Sequence, residues 1–298
     1  MSGWLHSVVF SKFRLFVCIV WTVFLSTTGC VSIADAPQLT HEPAYIPVTP
    51  LLDTPTPTLT LVPIPLAILP PPVPTLQEYP PVQICSPLEG IFTNELESHI
   101  SNPFHPPPPG SDDPHQGVDL ADIGPDGVAR EGLQVNTVLP GRVAAVIRDR
   151  FPYGNALLVE TRFENLPPAW LSFLQWTGSA AAPQIHSALT CPALSLEPEW
   201  NRESASLYLL YAHLQASPEF ETGEEVDCSQ KVGAIGSSGN ALNPHLHLEA
   251  RTGPSGARFA SLAHYDVSAS TDEMAAYCIW RVSGLFQLVD PMSLFSFP

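Results

Sequence analysis

The chain is poor in positive charge. Twelve lysines and arginines stand against 29 aspartates and glutamates, a formal net charge of −17 over 298 residues. Nucleic-acid phosphates are bound by lysine- and arginine-rich faces, so a nucleic-acid partner is excluded. The six cysteines include no C-x-x-C pair, which argues against a cysteine-held structural zinc. The apolar run Leu15–Leu25 falls short of the ~20 residues a membrane-spanning helix prefers, which disfavours an uncleaved anchor. No long stretch carries helical periodicity and no internal repeat is visible, so helical-bundle and solenoid architectures drop out.

What is present first describes an address. Lys12-Phe13-Arg14, the apolar run and the small residues Ser26-Thr27-Thr28-Gly29 ahead of Cys30 have the three parts of a secretory signal, residues 1–30. Its end resembles a bacterial lipoprotein box, with Thr27 where leucine is usual, so Cys30 is expected to carry lipid. Of the 34 prolines, 14 fall between Pro37 and Pro81. Such spacing removes backbone donors and fixes φ, which predicts a disordered, extended stalk over residues 31–83. The body, residues 84–298, is therefore expected outside the cytoplasm, in the cell envelope. Four cysteines remain there, Cys85, Cys191, Cys228 and Cys278, enough for two disulfides with three possible pairings. Pairing Cys85 with Cys278 would tie the ends of the domain and leave Cys191 with Cys228.

The body reads as an all-β, mainly antiparallel, sandwich-like domain. Short apolar or alternating runs at 141–147, 156–161, 207–213, 232–235 and 245–250 are separated by turns at Pro140-Gly141, Tyr153-Gly154-Asn155 and Ser238-Gly239-Asn240. Residues 272–280 can form one short helix. Residues 163–206, with Trp170, Trp176 and Trp200, break this rhythm and read as a long inserted loop, either a cleft wall or a separate apolar cluster.

The chemistry-bearing residues are histidines. His245 and His247 in "NPHLHLE" share one face of a strand, as do His115 and Asp119, with Gly117 between them leaving room. Three imidazole and carboxylate donors with an open position satisfy a catalytic zinc. His213 in "YAHL" is a further candidate. Glu249 reads either as a partner that orients an imidazole or as an exposed edge carboxylate.

The ordered fragments "HQGVDLAD", "VLPGRVAAV", "YGNALLVET", "YAHL", "VGAIGSSGNALNPHLHLEAR" and "VDPMSLF" resemble the lysostaphin-like, or LytM-type, zinc metalloendopeptidases. The likeness covers most of residues 84–295, outside the 163–206 segment. By position it implies His115, Asp119 and His247 as zinc ligands and His213 and His245 as the catalytic pair. It further implies peptide bonds of bacterial peptidoglycan as substrate, with a regulatory protein partner left unidentified. The competing reading is a non-catalytic module that binds cell wall or activates a wall amidase.

Overall fold

The computed structural model describes residues 83–108, 110–176, 189–192 and 200–296. The expected signal and almost all of the stalk lie outside these residues. Alternation of side chains along the central strands decides the architecture. The strands are β1 (Ile100–Asn102), β2 (Val118–Leu120), β3 (Asp122–Ile123), β4 (Ala129–Arg130), β5 (Gln134–Asn136) and β6 (Gly141–Arg150). They continue with β7 (Gly154–Arg162), β8 (Asn201–Leu214), β9 (Glu225–Val226), β10 (Lys231–Ala234), β11 (Leu246–Ser255) and β12 (Gln287–Val289). Eight form one antiparallel sheet in the order β1-β2-β11-β8-β7-β6-β9, with β12 also paired to β11. The short pairs β5–β10 and β3–β4 form two further ribbons, so the expected all-β, antiparallel domain is what the chain adopts.

Both faces of the main sheet are buried, and its strands β6, β7 and β8 supply both. Leu207, Leu209 and Tyr211 of β8 join Leu157, Val159, Leu246, Leu248 and Ala250 in one cluster, against Leu88, Leu96, Val135 and Val232. Tyr208, Leu210 and Ala212 face the opposite way with Ala156 and Leu158, under Tyr277, Ile279 and Trp280. Period two explains this division. The second cluster is capped by helix α2 (Thr271–Arg281), which follows the four-residue α1 (Pro168–Leu171) in the chain. Ser270 starts α2 with a capping box: its Oγ accepts from the Glu273 amide, and its own amide donates to Glu273 Oε2 at 2.9 Å.

Two expectations are corrected. The inserted segment ends at residue 200, because Asn201–Ser206 already run in β8, with Ser206 opposite Arg162 and Ala205 opposite Pro254. Its described tryptophans fill the core: Trp170 packs in the first cluster, Trp200 in the second, and Trp176 donates to the Leu285 carbonyl. The disulfides are Cys85–Cys228 and Cys191–Cys278, not the pairing that would have tied the ends of the domain. The sheet separates those ends. Leu88, just after Cys85, packs on one face, whereas Cys278 sits on α2 over the other.

Candidate metal centre

β2 and β11 run side by side with Asp119 opposite His247, and His247 in turn lies opposite Ala212 of β8. These partners share a face, so the carboxylate and the imidazole meet: His247 Nδ1 is 2.7 Å from Asp119 Oδ1. His115 arrives from the segment before β2, held by paired backbone hydrogen bonds with His105. Its Nε2 lies 3.0 Å from Asp119 Oδ1 and 3.2 Å from His247 Nδ1. Donors about 2.1 Å from a tetrahedral zinc stand about 3.4 Å apart, so these three atoms fit one ion with little movement.

The remote atoms of the same side chains are already committed. His115 Nδ1–H donates to the Pro103 carbonyl at 2.8 Å, leaving Nε2 as its ligand atom. His247 Nε2–H donates to Glu249 Oε1 at 3.1 Å, leaving Nδ1. Asn102 donates to Asp119 Oδ2 at 3.1 Å and orients the carboxylate. A ligand imidazole whose other nitrogen is tied to a carbonyl or carboxylate has its tautomer and ring plane fixed. Gly117 makes room for a ring, not for an ion. A Cβ there would come within 2.9 Å of His247 Nε2 and 2.5 Å of the Leu248 carbonyl oxygen.

His213 and His245 flank this centre, their ring centroids 4.8 Å apart, and His213 is 5.7 Å from His247. Strict alternation along β8 would turn His213 away from Ala212's face. A bulge prevents that. Between Leu214 and Tyr211 three steps of β8 oppose two steps of β7, and His213 takes a positive φ of 61°. A histidine in this region is strained, and such strain gathers at working sites. Its Nδ1–H donates to the Ser238 carbonyl at 2.8 Å, and His245 Nδ1–H donates to Asn243 at 2.7 Å. Both Nε2 atoms are left for the cleft, and that of His245 is 3.5 Å from Asp119.

The charges are set by this crowding. Although burial opposes its ionisation, Asp119 is held far below the usual carboxylate range by His115 and His247. Burial also disfavours a charged His247, but Asp119 and Glu249 outweigh it and raise this imidazole to about 9. His213 goes the other way. Burial, then the neighbouring His247 and His245, pulls it down to about 3, so it is neutral near pH 7.

Compared with protein-family profiles and with curated proteins, the chain has no match. Solved structures do resemble it in fold. The catalytic domain of lysostaphin from Staphylococcus simulans is 16% identical, with a TM-score of 0.34 over 69% of this chain and 98% of that one. A zinc-containing peptidase from Vibrio cholerae is 22% identical, at 0.28 over 51% of this chain and 32% of that one. The chain thus spans about a third of that peptidase's length. The SpoIIQ–SpoIIIAH pore-forming complex is 16% identical, at 0.29 over 57% of this chain and 84% of that one. The chemical reading rests on the donor set and not on these likenesses.

The centre opens into a cleft of about 920 Å³. The β3–β4 ribbon brings Ile123 and Val128 to it, the segment before β11 brings Leu242 and Asn243, and Tyr265 stands on a third side. Beneath His247 lies a buried polar column. Glu249 is fully buried and takes donors from every side. Its Oε1 accepts from His247, Tyr153 and Arg281, and its Oε2 from Arg251 and Trp280. Glu249 therefore orients an imidazole, the first of its two expected roles, and the arginines outweigh burial to keep it ionised. A signal was there: His247, Glu249 and Arg251 put three polar residues at every second position of a strand otherwise facing a core.

Cys191, His264 and Cys278 also lie close together, but the two sulfurs are bonded to each other and are not free ligands. Of the histidines matching no motif, His99 donates to the Ala121 carbonyl and His105 pairs with His115 through backbone, while His186 lies outside the described residues.

Proposed function

We propose that the chain is an exported zinc endopeptidase that hydrolyses stem or crosslink peptides of bacterial peptidoglycan. The supporting observation is the convergence of His115 Nε2, Asp119 Oδ1 and His247 Nδ1 at the floor of an open cleft, with two uncommitted imidazole nitrogens beside them. Those three atoms would hold zinc, which when bound acidifies water and polarises a carbonyl oxygen. His213 and His245 carry the proton transfers. His213 commits its Nδ1–H to the Ser238 carbonyl, which leaves its Nε2 to accept a proton from the attacking water. His245, at the rim, donates from Nε2 to the developing oxyanion or the leaving amine.

The ordered fragments that resemble LytM-type peptidases support peptidoglycan as substrate. The signal and Cys30 support a lipid-anchored location at the cell surface. A stalk of about 50 residues in extended form reaches on the order of 150 Å at ~3.1 Å per residue, which would carry the domain toward the wall.

The test is incubation of the zinc-loaded protein with defined peptidoglycan and mass spectrometry of the products. Newly freed amino termini within stem or bridge peptides are expected, and their loss on chelation. Intact muropeptides that nevertheless bind the protein would replace the enzyme with a wall-binding or amidase-activating module.

A further inference from the structure

Arg281, the last residue of α2, lies outside every motif of the metal centre, yet it touches both of the segments that bear the metal ligands. Its Nη1 donates to Glu249 Oε1 at 2.5 Å, the same oxygen that receives His247 Nε2. Its Nε donates to Asp112 Oδ1 at 2.6 Å and its Nη2 to the Asp112 carbonyl at 3.2 Å. Asp112 stands three residues before His115, and Glu249 two after His247. One planar guanidinium therefore spans the gap between the His115 segment and β11. Asp112 is held on its other oxygen by Tyr265 at 3.0 Å and Tyr277 at 2.7 Å, so the far end of this brace is fixed as well.

The neighbouring Arg251 differs in a decisive way. It serves the opposite oxygen of Glu249, Oε2, and reaches Gln116 with its Nη2. Arg251 holds the Glu249 oxygen that faces away from His247, whereas Arg281 and Tyr153 hold the one that faces it. Side chains behind a metal ligand fix its ring plane and basicity, and their removal typically costs about 10- to 100-fold in metal affinity.

We propose that Arg281 is a positioning residue for the metal centre, which sets the separation of His115 from His247 by bracing Asp112 against Glu249. The inference rests on the zinc reading above. It makes α2 a working part of the centre in addition to a cover for the core, and makes the Cys191–Cys278 bond, three residues before Arg281, part of its support.

The experiment compares full-length wild-type, Arg281→Gln and Arg281→Lys proteins. Zinc affinity is read by chelator competition, ligand geometry by the visible absorption of the cobalt-substituted proteins, and folding by the thermal midpoint of the metal-free form. Arg281→Gln should bind zinc about 10- to 100-fold more weakly, with a shifted cobalt spectrum. Arg281→Lys keeps the charge but cannot span both carboxylates, so it should recover only part of that loss. Affinity within threefold of wild type and an unchanged cobalt spectrum in a folded Arg281→Gln protein would overturn the proposal. Should Arg281→Gln not fold, Asp112→Asn carries the test, because it weakens the other end of the brace and preserves its shape. A weaker zinc site there supports the brace, and wild-type affinity overturns it. Zinc-loaded wild type that leaves peptidoglycan intact would sink the enzyme reading alone. Equal zinc affinities in wild type and the variants would sink this inference alone, and a wild type that binds no zinc would sink both.

Discussion

Zinc binding should be strongly pH-dependent, weakening steadily as pH falls below 9. On the zinc reading His247 would ligate through Nδ1, which faces Asp119 at 2.7 Å. Burial lowers the imidazole's pKa, but Asp119 and Glu249 raise it to about 9, so Nδ1 carries a proton throughout the physiological range. Zinc must displace it. Affinity should then fall about tenfold for each pH unit below 9, so that lowering pH from 8 to 6 costs roughly 100-fold, or about 3 kcal/mol. The assay is zinc titration against a competing chelator of known pH dependence, with calorimetry in two buffers to count released protons. At least one proton per zinc is expected near pH 7.5. The Glu249→Gln protein removes one of the two carboxylates that raise His247 and should show a flatter slope. An affinity constant between pH 7 and 8.5, with no proton released, would refute the assignment of Nδ1 as a ligand atom held protonated by its neighbours. The same raised value makes a second demand on the metal-free protein. Because the folded pKa exceeds the unfolded one of about 6.5, the stabilisation is complete below pH 6.5 and is lost as pH climbs toward 9. Metal-free protein should therefore melt at lower temperature at pH 9 than at pH 6.5, and zinc should narrow the difference.

Three further outcomes test separate parts of the site. His213→Asn, which tolerates the positive φ of the bulge, should keep zinc and fold but lose at least 100-fold in peptidoglycan hydrolysis, whereas Asp119→Ala should lose zinc itself; zinc content and muropeptide release distinguish them. Gly117→Ala should displace His247 and Leu248, lowering stability by about 1–3 kcal/mol and weakening zinc, as read by chemical denaturation and chelator competition. Converting Cys191 and Cys278 to alanine opens a span of 87 residues and should cost up to about 4 kcal/mol, visible as a lower melting temperature without loss of the β-sheet signal in circular dichroism.

How much of this was legible in the chain depends on the range of the interaction. Strand periodicity is local, so the β-rich character and the runs inside β6, β7, β8, β10 and β11 could be read directly, as could the helix following Ser270. The pairs His115 with Asp119 and His245 with His247 are short-range too, and their residue types restrict the chemistry to a few options. The cysteine pairing was not local: it depends on which face of the sheet each cysteine reaches, so the sequence left three pairings open. The start of β8 was also missed, because Asn201–Ala205 are polar or small and carry no apolar alternation until they pair with β11.

The sequence by itself determined the donor types, their order, and a strand-built domain behind a proline-rich stretch. Those follow from side-chain chemistry and from a two-residue period that needs no partner to be seen. Only the tertiary structure decided that the donors meet, since Asp119 and His247 are 128 residues apart and become neighbours through strand register alone. It likewise decided that a bulge turns His213 toward them, and that Arg281, distant in sequence from every ligand, stands behind two of them. Contacts of that kind are fixed by packing across the sheet, where sequence separation carries no information about distance.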